Sequence, residues 1–422
     1  MVKILFTTPE LRHPAVGGPY LRVENSIKAL SRISELYIYS RVSLDALGGT
    51  SGLSFYEQYC KRFYFAPSVE SHNRYSSGFI RKAINFLFRQ IIKRNIFPGH
   101  QGQEKDTQDL LNLARDIEAD VIWLGYGNIS YPVLKYIKSH SDYKVVLDTD
   151  SVWSRFVLRG LDFIVDKEER LAKEKEGKDK EEEERWGTQL ADVTTAVSKI
   201  DAAYYRNLAK HQQQVHIFSN VIDVETYRQI PPVTDNFKKP CLYLAGTFWT
   251  KGQTPMEDAA RWAISEILPL VRRQIPDIHF YIVGRGSEKA LSDVNDPGIT
   301  ITGELPSVLP YLCHADVALV PLRFESGTRF KILEAGACGI PVVSTTLGAE
   351  GIPVTHGNHI LIADEPKAFA DSIIKIINSH DFAQELAGNL RTLVSQEYSI
   401  ESLAKEGCLI LEYLKARGNC FD

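Results

Sequence analysis

Residues 318–351 read ALVPLRFESGTRFKILEAGACGIPVVSTTLGAEG. A buried-strand pattern over Val317–Leu322 leads into the polar loop Phe324-Glu325-Ser326-Gly327-Thr328-Arg329. A helix then starts near Phe330 and ends at Gly339, and Ile340–Ser344 reads as the next strand. A strand that delivers a glycine-containing loop into a helix start is suited to holding an anion. The first helical turn has backbone N–H groups without internal partners, and its dipole end is positive. Thr328 or Ser326 is placed to cap that helix, and Arg329 and Lys331 add fixed positive charge. Glu334 lies one turn in, three residues after Lys331 and on about the same face. A carboxylate there does not hold phosphate but can accept two hydrogen bonds from a vicinal diol such as a ribose. Cations, a helix start and one inward carboxylate together suit a nucleoside diphosphate.

The run from Glu325 to Thr345, continued by Gly348-Ala-Glu-Gly351, resembles the donor-site signature of retaining glycosyltransferases of the GT-B fold, glycosyltransferase family 4. Members usually carry two glutamates with seven residues between them, the second followed by Ala and then Gly-x-Pro-Val-Val. Here eight residues separate Glu325 from Glu334. A subgroup with a Gly-Thr-Arg-x-Lys-x-Leu-Glu loop is similar. Glu334 matches the second glutamate, and Glu325 is the candidate for the first, which in the family contacts the donor sugar.

Outward from this stretch, the chain divides at Gln229–Pro240 (QIPPVTDNFKKP), a polar segment with three prolines. Before it, short apolar runs at Val2–Thr7, Leu36–Ser40, Ala119–Leu124, Lys144–Leu147, Ala191–Val197 and Val215–Phe218 read as buried parallel strands. After it the rhythm restarts with Cys241–Ala245, His279–Val283, Ile299–Gly303, Val317–Leu322 and Pro341–Ser344, with a helix over Glu257–Arg273. The pattern predicts an α/β fold of two Rossmann-like parallel-sheet domains facing across a cleft, and the resemblance implies that 1–228 is the acceptor-side domain and 241–397 the nucleotide-sugar domain. The resemblance implies that a final amphipathic helix, Tyr398–Lys415, crosses back onto the N-terminal domain.

Ligands of open α/β sheets bind outside the carboxyl ends of the strands, so the glycines and polar residues at those tips are the site candidates. The first strand runs into Ala15-Val-Gly17-Gly18-Pro19 and a helix from Tyr20. This is not Gly-x-Gly-x-x-Gly, so a dinucleotide is not indicated. Arg22 and Asn25 fall near that helix start. Two further tips, Gly125-Tyr126-Gly127-Asn128 and Asp148-Thr149-Asp150-Ser151, face the same way. Asp148-Thr-Asp150 imitates the Asp-x-Asp metal motif of another glycosyltransferase fold, but no other ligand cluster accompanies it and no metal is expected. Asp150 or Ser151 can equally cap the following helix.

By resemblance, Tyr126, Asn128, Asp148 and Asp150 are acceptor-side candidates. Gly17, Gly18, Gly246, Thr247, Lys251, Gly284, Gly303, Leu305, Gly327, Thr328 and Glu334 are donor-binding candidates. Glu325, Arg329, Lys331 and Asp150 are the catalytic set. The substrates implied are a nucleotide-diphosphate sugar and a glycan or lipid-linked acceptor, with no cofactor. A GT-B sugar-nucleotide epimerase and a catalytically silent nucleotide- or partner-binding subunit are the alternatives.

Composition bounds the rest. A length of 422 residues suits two or three domains, and a hydrophobic content of 44% suffices for packed cores. A net charge of −4 implies no bulk attraction to nucleic acid. The six cysteines are scattered without Cys-x-x-Cys, and Cys313, Cys338 and Cys408 read as buried thiols of a reducing, cytoplasmic compartment. No apolar run approaches the length of a membrane span or signal peptide. Ser71–Gln103, however, has six Lys/Arg and no Asp or Glu, with bulky apolar residues at helical spacing. A basic amphipathic helix of that kind can contact a membrane interface. Lys167–Arg185 alternates in charge and reads as a solvated helix or mobile segment without chemistry.

Overall fold

The computed structural model describes residues 1–69, 100–233, 236–248 and 254–418. The N-terminal sheet has seven parallel strands: β1 (Lys3–Thr8), β2 (Glu35–Ser40), β3 (Arg62–Phe65), β4 (Val121–Gly125), β5 (Lys144–Asp148), β6 (Val193–Ala196) and β7 (Val215–Ile217), in the order 3-2-1-4-5-6-7. The C-terminal sheet has six: β8 (Cys241–Ala245), β9 (His279–Val283), β10 (Ile299–Ile301), β11 (Val317–Val320), β12 (Val342–Ser344) and β13 (Leu361–Ile362), in the order 10-9-8-11-12-13. All ladders are parallel. Ile4 pairs with both Leu36 and Val121, and Ala318 with Tyr243 and Val342.

Strand order reverses between β1 and β4 in one sheet and between β8 and β11 in the other. Those switch points are where α/β sheets open a crevice at their carboxyl ends. The loops after β1, β4, β8 and β11 carry many of the candidate residues, and the loops after the neighbouring strands β5, β9 and β10 carry the others, so topology brings them to the carboxyl ends of the two sheets.

Central strands are buried on both faces, which is why they read as unbroken apolar runs: Phe6, Trp123, Val146, Leu244 and Val320 are all at or below 1% exposure. The edge strands β3 and β13 were not visible in the sequence. One is short and largely half-buried, and the other has two residues.

Helices with a role in the site are α1 (Gly18–Leu30), α2 (Trp153–Arg159), α3 (Lys167–Leu190), α4 (Phe330–Cys338) and α5 (Ile400–Gly418). The charged segment is thus an ordered 24-residue helix. Its buried Glu184 accepts from Ser154 N at 3.0 Å and Ser154 Oγ at 2.6 Å, anchoring the start of α2. The expected helix over Glu257–Arg273 is interrupted by a π turn at Ala263–Ile267. Pro269 explains it: a ring nitrogen cannot donate to the preceding turn, and a wider turn accommodates the missing bond.

Helix α5 crosses back to the N-terminal domain. Glu406 accepts from Ser219 N at 2.7 Å and Ser219 Oγ at 2.8 Å, Lys144 Nζ donates to Leu414 O at 2.7 Å, and Gly407 lies against Ile33. Leu403, Leu411 and Leu414 of α5 join Val23, Ile27 and Leu30 of α1 in an apolar cluster that continues into the C-terminal core. Cys338 is buried, but Cys313, which follows the short helix Leu309–Leu312, and Cys408 are only half-buried. Ser71–Gln103 lies outside the described residues, apart from the backbone start of the helix His100–Asp116. Among the described residues no helix is long and apolar enough to cross a membrane.

Candidate active site

The loop after β11 turns at Gly327, with φ of +79°, and enters α4 through an extended Arg329. No side chain caps α4. The two expected caps are engaged elsewhere. Ser326 Oγ accepts from Val152 N at 3.3 Å, and Thr328 Oγ1 accepts from the Asn220 amide at 2.8 Å. Both partners belong to the N-terminal domain, so that domain draws the hydroxyls away and leaves the first-turn amides of α4 uncapped by side chains.

Arg329 is 4% exposed and donates to the carbonyls of Ser326, at 2.8 Å, and of Gly327. Its guanidinium therefore braces its own loop, contrary to the expectation that it projects toward a diphosphate. Burial lowers its pKa, with Glu325 and Glu350 opposing.

Lys331 is different. It is half-buried, and no hydrogen bond or ion pair reaches its ammonium among the described residues. Burial pushes its pKa down, while the charges of Glu325 and Glu334 hold it up. Glu334, one turn on, accepts from the Tyr227 hydroxyl at 2.9 Å. Burial raises its pKa, and Tyr227 and Lys331 counter that. Glu325 is half-buried, with Oε1 accepting from the Ser326 amide at 3.2 Å.

The facing wall starts at the glycine pair. Gly17 has φ of +95°, and a Cβ there would meet nothing within 4 Å. A Cβ on Gly18 would touch the Phe330 ring at 3.4 Å. The N-terminal glycine loop thus lies directly against the first residue of α4. The other strand tips form a backbone floor. Gly284 donates to Gly303 O at 3.0 Å, and Gly303 N donates to Ser287 Oγ at 3.1 Å. A Cβ on Gly284 would sit 2.0 Å from Gly246 O, an approach only glycine permits. Thr247 and Leu305 are half-buried beside this floor. Lys251 lies outside the described residues.

On the acceptor side the four candidates separate into two pairs. Asp148 is 1% exposed and fully engaged: it pairs with Arg22 and accepts from Trp123 Nε1 at 3.1 Å and Thr195 Oγ1 at 2.8 Å. Asn128 is also buried, accepting from Asp150 N at 2.9 Å and donating to Ser151 O at 3.0 Å. These two support the turn and are not free for an acceptor, because each polar atom already has a protein partner. Since Asp148 is saturated, the pair Asp148–Asp150 does not offer two carboxylates to one metal.

Asp150 is half-buried, accepts from Trp153 Nε1 at 3.0 Å and lies against the Tyr126 hydroxyl. It does not cap α2, whose N-cap is Val152. Burial pushes its pKa up to about 6, against the pull of Arg22. Trp153 and Tyr227 are site residues that the sequence reading missed. A Trp three residues beyond an Asp at a strand tip was the only signal for the first. Tyr227 lies just before the proline-containing segment Gln229–Pro240, where the sequence carries no site signal.

Arg22 and Asn25 turn out to be buried staples. Arg22 donates to Asn220 Oδ1 at 2.8 Å and Phe218 O at 3.1 Å, and Asn25 to Val221 O at 2.6 Å.

Two Rossmann-like domains with uncapped helix, lysine and glutamate at their shared cleft constitute the GT-B architecture of glycosyltransferases. Residues 245–379 match the family described as Glycosyl transferases group 1. Anabaena Alr3699/HepE, solved in complex with UDP and glucose, superposes with a TM-score of 0.63 at 13% identity, covering 98% of this chain and 100% of that one. The N-acetyl-alpha-D-glucosaminyl L-malate synthase of Bacillus anthracis is 21% identical over 53% of this chain and 60% of its own. The lipopolysaccharide core biosynthesis mannosyltransferase LpsB of Rhizobium meliloti is 29% identical over 28% of this chain and 34% of its own. The chain spans about a third to three-fifths of the length of the curated relatives it matches.

Proposed function

We propose that the protein transfers a hexose-type sugar from a nucleotide-diphosphate donor to a hydroxyl of a glycan or lipid-linked saccharide, with retention of configuration. The observation that carries this reading is Lys331, a half-buried cation without a hydrogen-bond or ion-pair partner among the described residues, beside an uncapped helix start in the interdomain cleft. Leaving a buried charge unpaired is costly unless a ligand completes it. A departing diphosphate is such a ligand, and preorganised positive groups aimed at it stabilise the charge that develops there.

In this reading Lys331 and the first amides of α4 take the diphosphate, and Glu334, oriented by Tyr227, accepts from the ribose hydroxyls. Arg329 and Gly327 shape the loop. Glu325 holds the donor sugar. Asp150 accepts from the acceptor hydroxyl and orients it. The bond from the anomeric carbon to the diphosphate oxygen breaks as the bond to the acceptor oxygen forms on the same face. The acceptor proton passes to the departing phosphate. No side-chain nucleophile and no metal is required. The mannosyl transfer carried out by LpsB supports a sugar-transfer reaction, and the UDP and glucose bound in HepE support a nucleotide-sugar donor.

A thermal-shift screen against UDP, GDP, dTDP and ADP tests it. At 100 times the dissociation constant a diphosphate stabilises the fold by about 2.7 kcal/mol. One diphosphate is expected to shift the wild type and to shift Lys331→Ala and Glu334→Ala much less. No shift with any of them removes the donor-site reading. Incubation of the matching nucleotide sugars with saccharide acceptors, followed by NMR of the anomeric proton, tests transfer and retention.

A further inference from the structure

The last residue of α2 reaches across the cleft. Arg159 Nη1 donates to Glu350 Oε1 at 2.7 Å and Nη2 to Oε2 at 3.0 Å, a two-pronged pair between domains. Nη1 also donates to the carbonyl of Glu325 at 2.9 Å. Glu350 belongs to the turn after β12, and the Glu325 carbonyl opens the loop that leads to α4. The pair is half-buried, with side chains 29% and 21% exposed.

Neighbouring residues of the same segment hold the rest of the loop. Val152 donates to Ser326, Phe163 packs on Phe324 with ring centroids 4.4 Å apart, and Ser151 lies against Gly327. Residues 151–163 thus form one strap laid along 324–327. Within the strap Arg159 alone carries a charge into the loop. Its planar fork fixes both distance and angle to a carboxylate, which a lysine cannot do. A donor held at the Glu325 carbonyl sets the plane of the peptide before Ser326, and so the direction in which Gly327 sends the chain into α4.

We propose that Arg159 is a positioning residue of the nucleotide site: paired with Glu350 and bonded to the Glu325 carbonyl, it gives loop 325–329 its binding shape only when the domains are closed. The donor site is then a property of both domains, although every residue assigned to the diphosphate lies in the C-terminal one. This inference rests on the donor-site reading above.

The test uses the full chain and four variants: Arg159→Ala, Arg159→Lys, Glu350→Ala, and the swap Arg159→Glu with Glu350→Arg. Affinity for UDP, GDP, dTDP and ADP is measured by calorimetry, and hydrogen exchange is followed in peptides covering 324–331 and 279–303. For the diphosphate that binds the wild type, Arg159→Ala and Glu350→Ala are each expected to weaken affinity about tenfold, as loss of charge-assisted bonds does. Arg159→Lys recovers little, and the swap recovers part of the loss. Exchange accelerates at 324–331 and stays unchanged at 279–303.

Affinities within twofold of wild type together with unchanged loop exchange overturn the inference alone. Faster exchange in both peptides with a lower melting temperature also overturns it, because Arg159 is then only structural. A wild type that binds none of the four overturns the donor-site reading and this inference with it.

Discussion

The side-chain amide of Asn220 donates to the Thr328 hydroxyl at 2.8 Å, and its oxygen accepts from Arg22 at 2.8 Å. Arg22 in turn pairs with Asp148. A buried polar relay therefore runs from the tip of β5, through α1 and the last N-terminal turn, to the loop before α4.

Asn220→Ala leaves a guanidinium donor and a threonine hydroxyl buried without partners. The expected cost is about 1–3 kcal/mol of unfolding free energy, read from urea denaturation. Wild-type stability in this variant would mean that the relay contributes nothing.

Lys331 and Arg329, two residues apart, should respond in opposite directions. Lys331→Met replaces an unpartnered half-buried cation with an apolar chain, and should stabilise the unliganded protein by about 0.5–2 kcal/mol while abolishing diphosphate binding. Arg329→Met frees the carbonyls of Ser326 and Gly327, and should lower the melting temperature. A fall in both variants contradicts the division of roles.

Glu334 is expected to tolerate little. Glu334→Ala should weaken diphosphate binding tenfold or more, whereas Tyr227→Phe removes one orienting hydrogen bond and should cost about two- to tenfold. Titration calorimetry separates the two.

Asp150 gives a pH signature. Its pKa is raised from 3.8 to about 6 by burial, so the native state holds a proton that the unfolded chain has released. Stability from this group is complete below about pH 4 and is lost as pH rises through 6. Activity should run the other way, rising through about pH 6 as the carboxylate becomes an acceptor. Asp150→Asn should make the stability slope between pH 4 and 6 shallower, leaving the part owed to other buried carboxylates such as Glu334, and lower turnover at pH 8. An unchanged slope would show that Asp150 holds no extra proton in the native state.

Gly327→Ala tests the turn. The residue has φ of +79°, and a Cβ would come within 2.8 Å of Ser151 Cβ. Strain and interdomain clash together should cost about 1–3 kcal/mol, and small-angle scattering should show a wider molecule.

The fold was readable because parallel strands buried on both faces leave uninterrupted apolar runs, and because the strand-loop-helix at 317–339 is a local pattern. β3 escaped because its four residues are exposed or half-buried, and β13 because it has only two residues. Within the site, Lys331 and Glu334 could be found from helical spacing alone. Ser326, Thr328 and Arg329 have the right chemistry for capping and charge, but partners more than a hundred residues away, Val152 and Asn220, take the two hydroxyls. Arg329 instead turns onto carbonyls two and three residues back, a choice that depends on the shape of the loop. For the same reason Asp148 and Asp150, two residues apart, could not be told apart: only Trp123, Thr195 and Arg22 decide which carboxylate is saturated.

Helix α5 gives the chain an unusual order of completion. The surface of α1 that it covers, including Leu30 and Ile33, is synthesised near the beginning, while Gly407 and Leu414 come near the end. During translation the N-terminal domain must wait, with that apolar face open, until about four hundred residues have left the ribosome. Separate expression of 1–228 would leave the same face permanently bare, so the two domains are divisible in architecture but not in manufacture.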